Sequence, residues 1–210
     1  MKIKEYKAIR ESGMELSGMI FNYAAENKQA IISSAKLLGF WDGKSMVFQS
    51  DSDSETMMDF MVFEKSTQND PAYQRFYRTD PKLDVLQQEN MNGILHFHSS
   101  LFEVKSIDPI GCTIVLEDIL NASGKEYQLM DIGMSKTIHT GFVLFTRLIP
   151  IRDVHMTSGV SFGFDKSDKD KLLSAISMAE FKKRRKLSKT ELYILFHEKN
   201  RQYGVETRTE

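Results

Sequence analysis

Residues 99 to 130 read SSLFEVKSIDPIGCTIVLEDILNASGKEYQLM. Three β-rich runs in this stretch are separated by two turn signals, Asp108-Pro109-Ile110-Gly111 and Asn121-Ala122-Ser123-Gly124. Pro, Gly, Asn and Asp favour turns because they fix φ, allow positive φ or form local hydrogen bonds. Two further β-rich runs follow, and five short runs at this spacing predict an antiparallel meander curled into a small barrel. The predicted strands are Leu101 to Ile107, Cys112 to Leu120, Glu126 to Ile132, Phe142 to Ile151 and His155 to Phe162.

Helical patterns precede this stretch. Apolar residues at three- and four-residue spacing predict a long helix from Met14 to Leu38, with Gly39 at its C-cap. Asp42-Gly43 predicts a turn that leads into a short strand. Further helices are predicted from a Ser-x-x-Glu capping box and from two Asp-Pro pairs. The predicted elements are a strand at 46–48 and helices from Ser52 to Phe63, Ala72 to Arg78 and Lys82 to Leu95.

Two helices are predicted after the β-rich stretch. Leu172, Leu173 and Ile176 mark the first, and a Ser188–Glu191 capping box begins the second, which runs to about Gln202. The sequence therefore predicts the α+β class. It divides into a mainly helical region at 1–98, an antiparallel β module at 99–165 and a basic C-terminal helical tail at 166–210, which could together form one compact unit.

Composition and charge exclude several classes of protein. The 210 residues are 41% hydrophobic and 27% charged, as in an ordinary globular chain. Cys112 is the only cysteine, which excludes an intrachain disulfide and a cysteine-built zinc site. Without a run of about eighteen apolar residues, we expect a cytoplasmic protein with no membrane partner. The net charge is −1, but residues 166–210 contain twelve Lys/Arg against seven Asp/Glu, whereas the remainder contains sixteen against twenty-two.

The densest positive charge is a run of five cations that can neutralise phosphates. Consecutive residues on a helix point in all directions, and cations near a helix C-terminus also offset the macrodipole. Nucleic-acid contact and a solvated hinge between two helices are therefore both interpretations of this run. Its members are Lys182, Lys183, Arg184, Arg185 and Lys186.

Several polar residues lie near predicted junctions between helix and strand. His96 and His98 could begin a metal site, but no third ligand follows from spacing. Cys112 has no histidine near it in sequence, and no glycine-rich phosphate loop or nucleophile-elbow motif occurs, so no cofactor is predicted. If a cleft lies between the helical half and the β module, its candidate lining residues are His96, His98, Glu103, Asp118, His139, Arg147 and His155.

Short motifs in the middle of the chain resemble an uncharacterised bacterial module. They are Asp59 to Glu64, Ser100 to Val104, Leu116 to Leu120 with Gly124, and Gly141 ahead of Phe145 to Leu148. The module occurs in some proteins that end in the cysteine-rich SEC-C metal motif. The resemblance implies a helical segment before a small β domain, and no activity. The SEC-C motif is absent here, so zinc binding is not implied. Glu103, Asp118 and Arg147 could be structural, with a buried Arg147 paired to either acid.

Two hypotheses about function follow. The first is a non-catalytic binding or adaptor protein that presents the β module and the basic helices to a macromolecular partner, either protein or nucleic acid. The second is an enzyme with a cleft between the helical half and the β module. The apolar stripe of the last helix, which contains Leu192, Leu195 and Phe196, also raises the possibility of a homo-oligomer.

Overall fold

The computed structural model describes residues 1–66, 70–121 and 124–205. The chain divides into two compact units, Met1–His96 and Phe97–Glu210. Eight α-helices and a mixed five-stranded sheet occur within the described residues, which confirms the α+β class. The basic C-terminal helices belong to the same unit as the sheet.

The N-terminal unit contains five helices, and its first helices differ from the prediction. The predicted single helix from Met14 to Leu38 is wrong, because two helices cover this stretch and the first begins at Ile3. Asn27 ends that continuity: its side chain accepts a hydrogen bond from the Ala30 amide (3.1 Å) and begins a new helix. Gly39 is the predicted C-cap, at φ 76°. The helices are α1 Ile3–Ala25, α2 Lys28–Leu38, α3 Asp51–Phe63, α4 Ala72–Tyr77 and α5 Val85–Leu95.

Three local predictions in this unit need correction. The N-cap of α3 is Ser50 and not Ser52, and the Asp53 carboxylate accepts a bond from the Gln49 amide (2.8 Å). Helix α5 begins at the capping box of Asp84 and Gln87, four residues after the Asp80-Pro81 pair. The predicted strand at 46–48 is only an isolated bridge between Trp41 and Met46.

The C-terminal unit is built around the predicted sheet. Its elements are β1 His98–Asp108, β2 Thr113–Asp118, β3 Glu126–Met130, α6 Met134–Thr137, β4 Val143–Ile151, β5 Val154–Phe164, α7 Lys169–Lys183 and α8 Lys189–Tyr203. The order is β1-β2-β3-β5-β4, and β4 also pairs with β1, so the pairings close into a ring. Two residues of the predicted β2–β3 turn, Ala122 and Ser123, lie outside the described residues.

The prediction of an entirely antiparallel sheet is wrong for one pair of strands. Strands β3 and β5 run parallel, through the pair Leu129 and His155. The reason is the connection from β3 to β4, which is no hairpin: it contains α6 and carries the chain away from β3. Strand β5 then returns beside β3 in the same direction, because it follows β4 through a tight hairpin.

Alternate residues of the strands fill the inside of the closed sheet. This core contains Phe102, Val104, Ile114, Leu116, Leu129, Met134, Phe142, Leu144 and Leu148. Helix α8 covers the outer face of β4 and β5, where Phe196 stacks on Phe145 with ring centroids 4.4 Å apart. Tyr193 contacts Phe162 from the same helix (5.1 Å). Of the apolar stripe that raised the possibility of self-association, Phe196 is buried against the chain's own sheet, whereas Leu192 and Leu195 are only partly buried.

Candidate binding site

Polar side chains gather at one end of the closed sheet. His98 begins β1, Asp118 ends β2 and His155 is the second residue of β5. The register brings these ends together, because Phe102 lies opposite Asp118 and Leu129 opposite His155. His98 and Ser100 lie four and two residues before the buried Phe102. They therefore point to the same side of β1 as Phe102, which is the inside of the sheet. We call His98, Ser100, Asp118, Tyr127 and His155 the polar end.

Asp118 organises the polar end. The residue is only 2% exposed, yet its carboxylate accepts five hydrogen bonds. Oδ1 accepts from Ser100 Oγ at 2.7 Å and from the amides of Leu120 and Asn121 at 3.1 Å. Oδ2 accepts from His98 Nε2 at 2.7 Å and from Asn121 Nδ2 at 2.8 Å. A buried carboxylate is tolerated when its oxygens are satisfied in this way.

These bonds keep Asp118 ionised. Burial is the largest influence and by itself would raise the pKa of Asp118. The hydrogen bonds from Ser100, Asn121 and His98 lower this pKa, and their combined effect exceeds that of burial. The pKa of Asp118 therefore lies below its ordinary value of 3.8. An ionised carboxylate only accepts hydrogen bonds, and His98 must therefore carry its proton on Nε2 toward Asp118.

The second ring nitrogen of His98 is Nδ1. An imidazole nitrogen can donate or accept a hydrogen bond, according to whether it carries a proton. The His98 side chain is 35% exposed, and Nδ1 has no hydrogen-bond partner among the described residues. The polar end therefore presents an oriented, partly exposed ring nitrogen.

Tyr127 lies between two imidazoles. Its ring is stacked with that of His98 (centroids 5.4 Å apart, 19° between planes) and lies edge-on to that of His155 (5.3 Å, 80°). Lys125 places its ammonium 4.8 Å from the centroid of the Tyr127 ring. Aromatic contacts of this kind hold the three rings as one row across β1, β3 and β5.

His155 is held as a neutral imidazole. Burial is the main influence and lowers the pKa of His155, although the hydrogen bond to the Gln128 carbonyl acts in the opposite direction. Nδ1 lies 3.2 Å from that carbonyl oxygen, so Nδ1 carries the proton and donates. The lone pair is then on Nε2, so the polar end contains an acceptor nitrogen.

The other proposed cleft residues lie elsewhere. His96 is the C-cap residue after α5 in the N-terminal unit, where its Nδ1 lies 2.8 Å from the Asn92 carbonyl. Glu103 pairs with Lys169 at 2.6 Å, which lowers the pKa of Glu103. His139 is mostly exposed, at 3.9 Å from Asp165. Of the seven residues, the structure gathers His98, Asp118 and His155.

Arg147 is buried, and the two acids considered as its partners, Glu103 and Asp118, contact other side chains. Those acids are paired with Lys169 and His98. The guanidinium of Arg147 instead lies over the rings of Phe97 (4.9 Å) and Tyr193 (5.6 Å) and donates to Ser99 Oγ (2.9 Å). These neighbours come from the start of β1 and from α8, which sequence spacing could not relate.

The basic run forms the turn between α7 and α8, and acids hold part of it. Arg185 binds Glu191 through two nitrogens (2.7 and 2.8 Å), and Lys183 binds the same carboxylate (2.8 Å). Lys186 binds Glu180 at 2.8 Å. The cations lower the pKa of Glu191 far below its ordinary value. Lys182 and Arg184 make no ion pair within the described part of the chain. We call residues 182–186 the basic turn.

An exposed aromatic residue precedes the basic turn. Phe181, near the end of α7, is 85% exposed. The helical spacing of the sequence indicates that this position is exposed. Phe181 lies five residues after Ile176, which places it about 140° around the helix from the buried face of Leu172 and Ile176.

The basic turn lies toward the same end of the unit as the polar end. Lys189, the first residue of α8, places its ammonium 5.2 Å from the Phe97 ring centroid. Phe97 directly precedes His98.

Neither a metal-binding cluster nor a membrane-spanning helix occurs among the described residues. No group of three or more His, Cys, Asp or Glu in that part of the chain could hold a metal ion. No helix there has the length and apolar character needed to cross a membrane. Cys112 lies in the β1–β2 turn, at the opposite end of β2 from Asp118.

Comparisons with known proteins give a family and no activity. No curated protein and no solved structure matches the chain. The model of a family of unknown function, DUF7986, matches residues 1–210 and thus extends well beyond the stretch of the SEC-C-associated resemblance. The chain therefore belongs to this family of unknown function, DUF7986.

Proposed function

We propose that the chain is a non-catalytic binding protein and that its partner is a single-stranded nucleic acid. The contact surface in this proposal consists of the basic turn and Phe181. The observation that carries the proposal is an 85% exposed phenylalanine directly followed by five cations. Proteins that bind single strands without sequence readout combine cations for the phosphates with aromatic rings on which bases stack.

The charge of the basic turn supports this partner. Two glutamates, Glu180 and Glu191, balance only part of the five cations. Arg184 adds a second argument: it is the C-cap of α7 at φ 54°, a left-handed position usually filled by glycine. A side chain with a Cβ costs about 1 to 2 kcal/mol there. Arg184 therefore places a cation in this turn at an energetic cost.

The connectivity of the sheet also supports nucleic acid, with one restriction. We propose that the closed sheet is a small barrel whose strand order and helix between β3 and β4 resemble the OB-fold, which often binds oligonucleotides. The outer β2–β3 face used by many OB-folds carries opposed Glu117 and Glu126 here. Lys105 pairs with Glu117 (2.8 Å), and Glu126 repels phosphates, so we assign the contact to the basic turn. Fold likeness alone does not establish function.

Fluorescence anisotropy with labelled single strands of about 20 nucleotides tests the proposal. We expect affinity to fall steeply between about 50 and about 300 mM salt, with a log–log slope near −2 for about three phosphate contacts. The double variant Lys182→Gln/Arg184→Gln should flatten the slope by about 1.4. Glu191→Gln should make the slope steeper, because it releases Lys183 and Arg185.

A matched control separates local contact from total charge. Lys4→Gln/Lys7→Gln removes the same two charges from α1 in the N-terminal unit and should leave the slope unchanged. Phe181→Ser should weaken binding without changing the slope. Absence of binding, or equal effects of the two double variants, would overturn the proposal. Tighter binding of an acidic polypeptide such as polyglutamate would point to a protein partner instead.

Catalysis is the second candidate function, and the convergence of His98, Asp118 and His155 favours it. An imidazole oriented by a buried carboxylate is a suitable general base. The contacts of the described residues place no nucleophile at His98 Nδ1, since Ser100 donates its hydroxyl to Asp118. We therefore favour binding. A bacterial origin and an association with SEC-C-motif proteins remain expectations from the resemblance.

A further inference from the structure

We propose that copies of the chain associate head to tail, with an acidic apolar surface of one copy against the basic turn and Phe181 of another. This contact goes beyond the proposed binding of nucleic acid and does not depend on it. The two surfaces both expose apolar side chains and carry opposite charges.

The first surface lies between α2 and α3. Three consecutive apolar residues, Met46, Val47 and Phe48, are between 39% and 48% exposed. The Val47 amide donates to the Phe40 carbonyl (2.8 Å), and the Phe48 ring lies edge-on to the Phe40 ring, with centroids 5.3 Å apart. These contacts hold the segment in place with its apolar side chains partly in water. Such a run of exposed apolar residues is typical of a surface that binds a partner.

Carboxylates border this segment. Asp51 and Glu55 follow it in α3, are exposed, and lie on the same side of the helix because they are four residues apart. Neither makes an ion pair with another described residue. Met58 lies three residues further along that side and is 41% exposed. We call this set the acidic surface: Met46, Val47, Phe48, Asp51 and Glu55.

The end of α7 and the basic turn form the complementary surface. Phe181 is 85% exposed, and Met178, three residues before it on the same side of α7, is 60% exposed. Lys182 and Arg184 follow and make no ion pair with any described residue. Apolar side chains therefore lie beside unpaired cations here, whereas in the acidic surface they lie beside unpaired carboxylates.

This complementarity makes a second copy of the chain the occupant of the acidic surface. Every chain carries both surfaces, so their opposite potentials favour the encounter of one copy with another. The two surfaces differ, so the contact is heterologous and continues beyond a dimer unless a rotation closes it. Both surfaces are small, which predicts a weak and reversible contact. Since the contact covers the basic turn, self-association would compete there with the proposed nucleic acid.

Sedimentation velocity of the full chain without nucleic acid tests the association. Between about 1 µM and about 1 mM protein, which brackets the dissociation constants of weak contacts, we expect the average mass to rise above that of one chain. At about 1 M salt, where charges are screened beyond about 3 Å, the rise should require at least about tenfold more protein. A mass of one chain at every concentration would overturn the inference.

Charge reversal identifies the two surfaces. Asp51→Lys/Glu55→Lys and Lys182→Glu/Arg184→Glu should each abolish the association, because like charges then face each other. An equimolar mixture of the two variants should restore it, since each variant retains one natural surface. Two folded variants that do not associate when mixed would contradict the pairing of these surfaces.

A matched control tests whether location matters. Glu11→Lys/Glu15→Lys reverses two exposed carboxylates at the same spacing on α1 and should associate like the natural chain. An equal loss of association in this control would mean that total charge, and not the acidic surface, governs the contact.

Trp41 provides a measurement on the unmodified protein. It is the only tryptophan, and it pairs with Met46 in an isolated β-bridge. Its emission should shift to shorter wavelength as the mass rises, because the second copy removes water from the acidic surface. Constant emission during a rise in mass would place the contact elsewhere and contradict the inference.

The two proposals fail separately. A chain that associates but binds no strand contradicts only the proposed function. A chain that binds strands but keeps the mass of one chain contradicts only this inference.

Discussion

Asp118 accepts hydrogen bonds from two side chains beyond its own turn and from three donors within it. Removing an acceptor at such a position leaves several buried donors unsatisfied, which costs more than the bonds themselves contribute. The other turn of this sheet offers a contrast. Asp108 also accepts from two backbone amides, those of Ile110 and Gly111 at 3.0 Å, but it is exposed.

We expect Asp118→Ala to reduce the free energy of unfolding by about 3 to 5 kcal/mol, because buried donors lose their acceptor. Asp108→Ala should cost about 1 kcal/mol or less, since water can replace the lost acceptor. Urea denaturation of both variants measures the difference. Similar losses for the two would mean that Asp118 does not organise a buried network.

His155 gives the chain a dependence of stability on pH. Its pKa in the folded protein is lowered from 6.5, so the unfolded chain takes up this proton first as the pH falls. The contribution of His155 to stability is therefore complete above about pH 6.5 and decreases below it.

His155→Gln should remove this part of the pH dependence. Unfolding free energies measured from roughly pH 8 to roughly pH 5 should fall less steeply in the variant than in the natural protein. Asp118 affects stability in a separate pH range. Its pKa is also lowered, so its contribution is lost as the pH falls below its ordinary pKa of 3.8. Parallel curves for the two proteins above about pH 5 would contradict the assignment to His155.

Helix α8 is held by contacts at both levels, local and long-range. Ser188 and Glu191 form the predicted capping box, with the Glu191 amide donating to Ser188 Oγ and the Ser188 amide to Glu191. Phe196 is completely buried against Phe145. Helix α7, by contrast, buries only Leu172 and Ile176 and leaves Phe181 exposed.

Two Phe→Ala changes on these neighbouring helices should therefore differ. Phe196→Ala opens a cavity under α8 and should cost about 3 to 5 kcal/mol. Phe181→Ala should change stability by less than about 0.5 kcal/mol, because its ring is in solvent. Thermal or chemical unfolding of both variants measures this. A large loss at Phe181 would show that α7 packs on a surface through that ring.

At the level of the whole chain, the boundary between the two compact units falls between His96 and Phe97. The C-terminal unit has its own closed sheet, its own core and a helix that covers one face. We expect a fragment of residues 97–210 to fold on its own, since a domain with its own hydrophobic core can do so. Circular dichroism should show a single cooperative thermal transition. A fragment without cooperative unfolding would contradict this prediction.

Elements whose signals are local could be predicted from the sequence. Turn residues between β-rich runs located the five strands, and the capping box at Ser188 located α8, because both depend on bonds between residues close in the chain. The apolar spacing from Met14 to Leu38 favoured one helix, whereas the capping residue Asn27 favours a new helix start. Because these two local signals conflict, the single helix was predicted wrongly.

The polar end and the state of the basic turn depend instead on tertiary contacts. Asp118 lies twenty residues from His98 in sequence and meets it because β1 and β2 pair; His155 joins them through the parallel contact with β3. Glu191 restrains Lys183 and Arg185 because α8 folds back on the end of α7. Such contacts depend on register and chain reversal, which residue spacing alone does not specify.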